Sequence, residues 1–180
     1  MSKTSQEHKE KALKQVRFGL LTISTSRYDK KKMGETFTDA SAELAEKILT
    51  DYGHKVVLRK VISDDSEMIQ AGVCQLIFDH SVDVVLSIGG TGMTPTDVTV
   101  ETVLPLFEKS LEGFGEAFRR TSYDEIGGAA IVSRCTAGIM RGKVVFCLPG
   151  SLQAVETALK KLIIPEVGHI LVHSRAKANT

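Results

Sequence analysis

The chain has no tryptophan, only three cysteines and four prolines, and almost no net charge. Each scarcity excludes something. With 23 basic residues against 22 acidic ones the formal charge is +1. A nucleic-acid partner ordinarily requires a strong basic footprint, so that class is set aside. Cys74, Cys135 and Cys147 are odd in number and have no Cys-x-x-Cys spacing. They read as reduced thiols of a cytosolic protein, serving mostly as small core hydrophobes. No apolar run approaches the ~20 residues that a membrane-spanning helix needs. Residues 1–15, "MSKTSQEHKEKALKQ", lack the apolar centre of a secretory signal and read as a flexible, solvated extension.

What remains is an ordinary globular profile: 180 residues, 42% apolar and 25% charged. That suits one domain, here residues 16–180. Folding a chain of this length buries roughly 70% of its unfolded surface, so neither a metal nor a disulfide is needed to hold a core.

Apolar runs predict strands at Val16–Ile23, Lys55–Ile62, Val82–Ile88 and Lys143–Leu148. Between the first two, "YDKKKMGE" reads as a loop with a solvated lysine run, followed by a helix carrying Phe37, Ala40, Leu44, Ile48, Leu49 and Tyr52. Gly53 suits the position just past its end. Ser63 and Asp64 sit where the next helix would be capped, and that helix carries Met68, Ile69, Val73, Leu76 and Ile77. A last helix bears Leu152, Val155, Leu159 and Leu162, and Pro165 ends or bends it. Strands alternating with helices predict a three-layer α/β/α domain around a mostly parallel sheet.

In such sheets ligands bind beyond the carboxyl ends of the strands. Three turns should gather there: Ser24-Thr25-Ser26, Gly89-Gly90-Thr91-Gly92 and Pro149-Gly150-Ser151. Bare backbone N–H groups in such turns make a nest for an anion, and glycine removes the Cβ that would hold phosphate oxygens away. A P-loop is absent, and the dinucleotide fingerprint fails because Pro95 stands where its third glycine belongs. From local chemistry alone the glycines equally make a tight strand-to-helix turn, and capping alone would account for Asp64 or Asp97.

"GGTG" with an aspartate five residues after its last glycine, then "GFGEAFR" and "LPGS", resembles the MoaB/MogA family of molybdenum cofactor biosynthesis, whose module also forms the G domain of gephyrin. "ETVLPLFEKSLEGFGEAFRRTSYDEIG", "SRCTAGIMRGK" and "LPGSLQAVETA" lie closer to MoaB. The resemblance runs from about Val16 to the C-terminus. It implies a molybdopterin-binding domain and, for MogA-type members, adenylylation of molybdopterin with ATP (or GTP) and magnesium, ahead of molybdenum or tungsten insertion. It implies catalytic and magnesium-binding roles for Asp64 and Asp97, and phosphate binding by Ser24 to Ser26, Gly89 to Gly92 and Pro149 to Ser151. It also implies a homotrimer or homohexamer; MoaB-type domains can instead bind without turnover or act as oligomeric scaffolds. One departure stands out. Where MoaB proteins usually carry Asp-x-Ser-Gly, this chain has "DASA", so Asp39 and Ser41 are weaker candidates and Ala42 replaces the glycine. Glu116 and Arg134 are weaker candidates too, each equally suited to a structural ion pair. His169 and His173 are four apart, but Ile170 breaks the HExxH pattern and the pair reads as chance.

Overall fold

The computed structural model describes residues 13–176. The predicted extension therefore lies outside the described residues for positions 1–12. Leu13 to Gln15 are placed: the Leu13 backbone packs where a Cβ on Gly168 would lie, and the Gln15 amide donates to the Gly53 carbonyl at 3.1 Å.

Six strands form one sheet in the order β2-β1-β3-β6-β5-β4. They are β1 (Arg17–Ile23), β2 (Lys55–Ile62), β3 (Val84–Ile88), β4 (Lys109–Ser110), β5 (Thr136–Met140) and β6 (Lys143–Leu148). The β2-β1-β3-β6 half is parallel, and β5 and β4 join it antiparallel. The helices are α1 (Thr25–Lys32), α2 (Ala40–Asp51), α3 (Ser66–Phe78), α4 (Thr99–Val103), α5 (Glu112–Ile126), α6 (Leu152–Thr157) and α7 (Ile164–Arg175).

The central strands read as unbroken apolar runs because both of their faces are covered. Neighbouring residues divide between two cores with the period of two that a strand imposes. Leu20, Val84, Val144 and Phe146 pack with Ala45 and Leu49 of α2, Phe118 of α5 and Leu159 and Val167 farther on. Leu21, Val85, Val145 and Cys147 pack on the opposite side with Ile69, Val73 and Leu76 of α3. Two helical layers thus enclose the sheet, as expected. Phe118 and Phe146 are each only 1% exposed, and truncating either to alanine would cost about 3–5 kcal/mol. Cys135 and Cys147 belong to these cores, where burial pushes both thiols up to about 12 and leaves them inert.

Several expectations need correction. The "YDKKKMGE" segment is not all loop, since α1 runs to Lys32 before Gly34 breaks it at φ +74°. No residue of α1 is buried, so it lacks the apolar stripe by which helices are found in a sequence. The cap of α3 is Asp65, whose side chain accepts from the Met68 N–H at 2.9 Å, rather than Ser63 or Asp64. Strand β5 was not foreseen. Its "TAGIM" is short and rich in small residues, and a hairpin with β6 defines it through Arg141 and Gly142, at φ 51° and 70°. Pro165 does not end the last helix. A π-helical stretch, Ala158–Ile163, leads into it and Pro165 occupies the first turn of α7, where its missing N–H is tolerated.

At the amino ends of the parallel strands, Arg17 Nε and Nη2 clasp the two carboxylate oxygens of Asp83 at 2.9 Å each. Arg175 adds a bond at 2.7 Å and the Arg17 backbone N–H one at 3.0 Å. Asp83 thereby ties the beginnings of β1 and β3 to the end of α7.

Candidate functional site

The chain leaves β1 toward β2 on one side and returns through β3 on the other. The order reverses between β1 and β3, and a crevice opens outside their carboxyl ends. Ser24 to Ser26 follow β1 and Gly89 to Gly92 follow β3. Pro149 to Ser151 follow β6, the next strand along. The second and third turns meet: a Cβ added to Gly150 would lie 3.6 Å from the Gly89 Cα, and the first turn begins just past Ile23, whose carbonyl oxygen abuts Gly89.

The glycine loop is as tight as its composition suggests. Gly89 and Gly90 hold φ of +108° and +63°. The Gly89 N–H donates to the Leu148 carbonyl at 2.9 Å, and a Cβ there would strike the Ile23 carbonyl oxygen. Thr99, fully buried, pins the loop from behind: its hydroxyl donates to the Gly89 carbonyl at 3.0 Å and its N–H to the Gly90 carbonyl at 2.9 Å. Thr99 was not foreseen as part of the site, because a threonine opening a short helix carries no motif of its own.

Both candidate aspartates lie against this loop. A Cβ on Gly90 would come 2.7 Å from Asp64 Oδ1, and one on Gly92 would come 2.7 Å from Asp97 Oδ2. Neither aspartate is a helix cap. Asp64 Oδ1 accepts a long bond from the Val98 N–H at 3.5 Å, while its own N–H donates to the Thr25 hydroxyl at 3.2 Å. Asp97 closes the "TPTD" turn, accepting from both the Thr94 N–H, at 3.0 Å, and the Thr94 hydroxyl. The Thr-Pro-Thr-Asp run carried that turn signal in the sequence.

The two carboxylates differ electrostatically. Burial raises the Asp64 carboxyl above its ordinary value; the Val98 N–H opposes this and the charge of Asp97 adds to it. The Thr94 hydroxyl instead holds Asp97 below the ordinary range against a burial effect, with the Thr94 and Gly92 N–H groups and the charge of Arg134 assisting.

A cleft of about 320 Å³ opens over the loop, lined by Gly89 to Gly92, Asp97, Val132, Ser133, Arg134, Pro149 and Gly150. A smaller hollow of about 60 Å³ shares Ser133 and Pro149 with it and continues to Ser151. Asp64 and Ser24 to Ser26 are not among the lining residues; they adjoin the loop from the β1–β2 side. Ser151 caps α6 by accepting from the Ala154 N–H at 3.2 Å.

The weaker candidates separate. Asp39 is buried, capping α2 through the Ala42 N–H and accepting from the Thr22 hydroxyl at 2.6 Å. Ser41 is buried and donates to the Gly150 carbonyl at 2.6 Å, supporting the third turn from below. Ala42, the departure from the MoaB pattern, is 1% exposed and packs in the core. Glu116 is exposed on α5 and lines neither cavity. Arg134 lines the cleft and pairs with Glu101. His169 and His173 lie on α7, with Nε2 atoms 2.8 Å apart.

Among the described residues no group of three or more histidines, cysteines, aspartates or glutamates can hold a metal, and no helix is long and apolar enough to cross a membrane.

The family model described as "Probable molybdopterin binding domain" matches residues 19–169. Molybdenum cofactor biosynthesis protein B of Bacillus cereus is 46% identical over 165 residues, covering 91% of this chain and 94% of that protein. The molybdopterin adenylyltransferase of Pyrococcus furiosus is 43% identical over 174 residues, covering 94% and 98% respectively. Among solved structures, a molybdenum cofactor biosynthesis protein B superposes with a TM-score of 0.84 at 44% identity, over 91% of this chain and 98% of that one. The tungsten cofactor synthesizing protein MoaB of Pyrococcus furiosus gives 0.79 at 42%, over 92% and 100%. With a glycine loop at the switch point, two carboxylates against it and relatives matched over nearly their full length, this chain belongs to the MoaB/MogA family of molybdenum cofactor biosynthesis, the molybdopterin-binding fold.

Proposed function

We propose that this chain is a cytosolic molybdopterin adenylyltransferase working in the cleft over Gly89 to Gly92. One observation carries the reading: carboxylates from two different strand ends, Asp64 after β2 and Asp97 after β3, adjoin glycines of the same phosphate-sized loop. The reaction is nucleotidyl transfer. An oxygen of the pterin's terminal phosphate attacks the α-phosphorus of ATP, the bond to the bridging β-phosphate oxygen breaks, and pyrophosphate leaves with that electron pair. A phosphate monoester is largely dianionic at neutral pH, so the nucleophile needs no base from the protein. The protein's share is to position the phosphates and offset their charge.

The donor set fits magnesium. Asp64 and Asp97 offer hard oxygen ligands at one place, and the raised Asp64 carboxyl reflects burial and a neighbouring negative charge that a divalent cation would relieve. One or two carboxylates with phosphate oxygens completing the shell is the usual way this ion is held. When bound it supplies Lewis-acid neutralisation of the phosphate oxygens. The glycine loop turns its backbone toward the phosphates, Thr99 keeps the loop's carbonyls occupied, and Thr94 keeps Asp97 oriented and ionised.

The test is to incubate purified protein with molybdopterin, ATP and magnesium and look for adenylylated pterin and released pyrophosphate. Tight binding without product would replace the enzyme with a binding protein. GTP in place of ATP tests the nucleotide, and sedimentation tests the trimer or hexamer that belongs to the same reading.

A further inference from the structure

Arg134 is the sole cation among the described residues that line the cleft, and Asp97 is the sole carboxylate. A phosphate-bearing ligand entering there meets one guanidinium. That guanidinium is engaged elsewhere, in an ion pair with Glu101 in the first turn of α4. The Arg134 side chain is 27% exposed and that of Glu101 56%, so the pair faces water. Exposed pairs are weak, whereas a phosphate offers arginine's planar fork two charged oxygens at once. Glu101 also has a place without Arg134, because a carboxylate in the first turn of a helix is favoured by the helix dipole.

The chain on either side gives Arg134 one fixed flank and one loose flank. Cys135 next to it is buried. Before it, the 3₁₀ segment Gly127–Val132 buries only Ala130, and leaves Ile131 80% and Val132 60% exposed. Added Cβ atoms on Gly127 or Gly128 would meet nothing within 4 Å. The segment is thus lightly packed, and a change of partner by Arg134 would cost little there.

We propose that Arg134 is the phosphate-recognition residue of the cleft, and that Glu101 is the competing anion it leaves when a phosphate ligand arrives. This rests on the proposed function, since it takes the cleft over the glycine loop to be the phosphate site. The recognised group is a phosphate, carried either by the nucleotide or by the pterin.

The two members of the pair should respond with opposite signs. Calorimetric titration of the full chain with magnesium–ATP, and separately with molybdopterin, distinguishes the two phosphate sources. For the ligand that Arg134 meets, Arg134→Ala should weaken binding by ~10-fold or more, as loss of a charge-assisted bond does. Arg134→Lys should recover part of that, and the salt dependence of binding should flatten in the alanine variant. Glu101→Gln should tighten the same ligand by about two- to fivefold, the strength of an exposed pair. Were the pair merely structural, both variants would shift melting temperature slightly and leave both ligands unaffected, which would overturn the proposal. Parallel weakening by Arg134→Ala and Glu101→Gln would overturn it too. If the wild type binds neither ligand, the phosphate site itself falls and this inference falls with it. If Arg134→Ala does not fold, the opposite-sign expectation for Glu101→Gln against Arg134→Lys still decides.

Discussion

The two ends of the same parallel strands carry charged clusters of contrasting character. At the amino ends, Asp83 is 5% exposed and saturated by Arg17, Arg175 and a backbone N–H. Burial alone would raise its carboxyl, but hydrogen bonds from the two arginines prevail and hold it well below the usual carboxylate range. At the carboxyl ends, Asp64 receives one long bond from a backbone N–H, faces the like charge of Asp97, and has its carboxyl raised. A satisfied charge locks strand ends together. A carboxylate left beside another, against a bare backbone, suits a cation and phosphates that come from outside. The first cluster serves the fold, and the second is the one we propose for the chemistry.

The strongest way to break this contrast is Asp97→Asn, with Asp64→Asn alongside. Asparagine keeps much of the hydrogen bonding but loses the charge. Adenylyl transfer should fall by ~10²- to 10³-fold for at least one variant, as for loss of a charge-stabilising group. Melting temperature should rise slightly for Asp64→Asn and fall slightly for Asp97→Asn, whose depressed carboxyl contributes stability at neutral pH. A carboxyl whose folded value is raised disfavours the fold once it is ionised, so neutralising it relieves the metal-free protein. Wild-type rates for both variants would show that these carboxylates only shape turns.

Asp83→Asn should do the reverse. It strips charge-assisted bonds from two arginines and should cost about 2–3 kcal/mol of stability while leaving turnover per folded molecule unchanged. The pH dependence sharpens it. A depressed carboxyl contributes stability that is full above its unfolded value, near 3.9, and is lost as pH falls toward the lower folded value. Acid unfolding of the wild type below about pH 4 should therefore be steeper than that of Asp83→Asn. Equal slopes would mean that Asp83 is not the clamp.

Gly92→Val tests the carboxyl-end rim by geometry rather than charge. Gly92 does not share the positive φ of Gly89 and Gly90, so backbone strain is not the issue. Its added Cβ would instead come 2.7 Å from Asp97 Oδ2 and push that carboxylate aside. Affinity for phosphate-bearing ligands should drop by ~10-fold or more, with little change in melting temperature. Unchanged affinity in a folded variant would make the loop a simple turn.

The smallest effect is expected at the N-terminus. Deleting residues 1–12, a polar mixed-charge segment, should move the melting temperature by less than ~2 °C. Extending the deletion through Gln15 removes the Leu13 contact with Gly168 and the bond to Gly53, and should cost more. A large loss with the shorter deletion would give the segment a structural role.

The sequence by itself determined what depends on local order. Apolar runs specified strands β1, β3 and β6, and β2 despite its charged Lys55, Arg59 and Lys60, while α3 and the helix after β6 showed their buried residues at helical spacing. Gly89 and Gly90 marked a turn that only glycine fits comfortably, while Asp64 and Asp97 stood out through the family resemblance, since local sequence alone equally suits them as caps. Tertiary structure decided what depends on partners distant in the chain. Strand β5 exists because β6 pairs with it, and α1 forms although it buries nothing. Asp65 rather than Asp64 caps α3, leaving Asp64 to reach Val98, 34 residues away in the sequence. Asp39 and Ser41, next to one another in motif, were drawn into the core by Thr22 and Gly150. Arg134 and Glu101 are 33 residues apart, and only the fold brings them into contact. A side chain's composition tells what it can bind; its neighbours in space decide which of those bonds are already made.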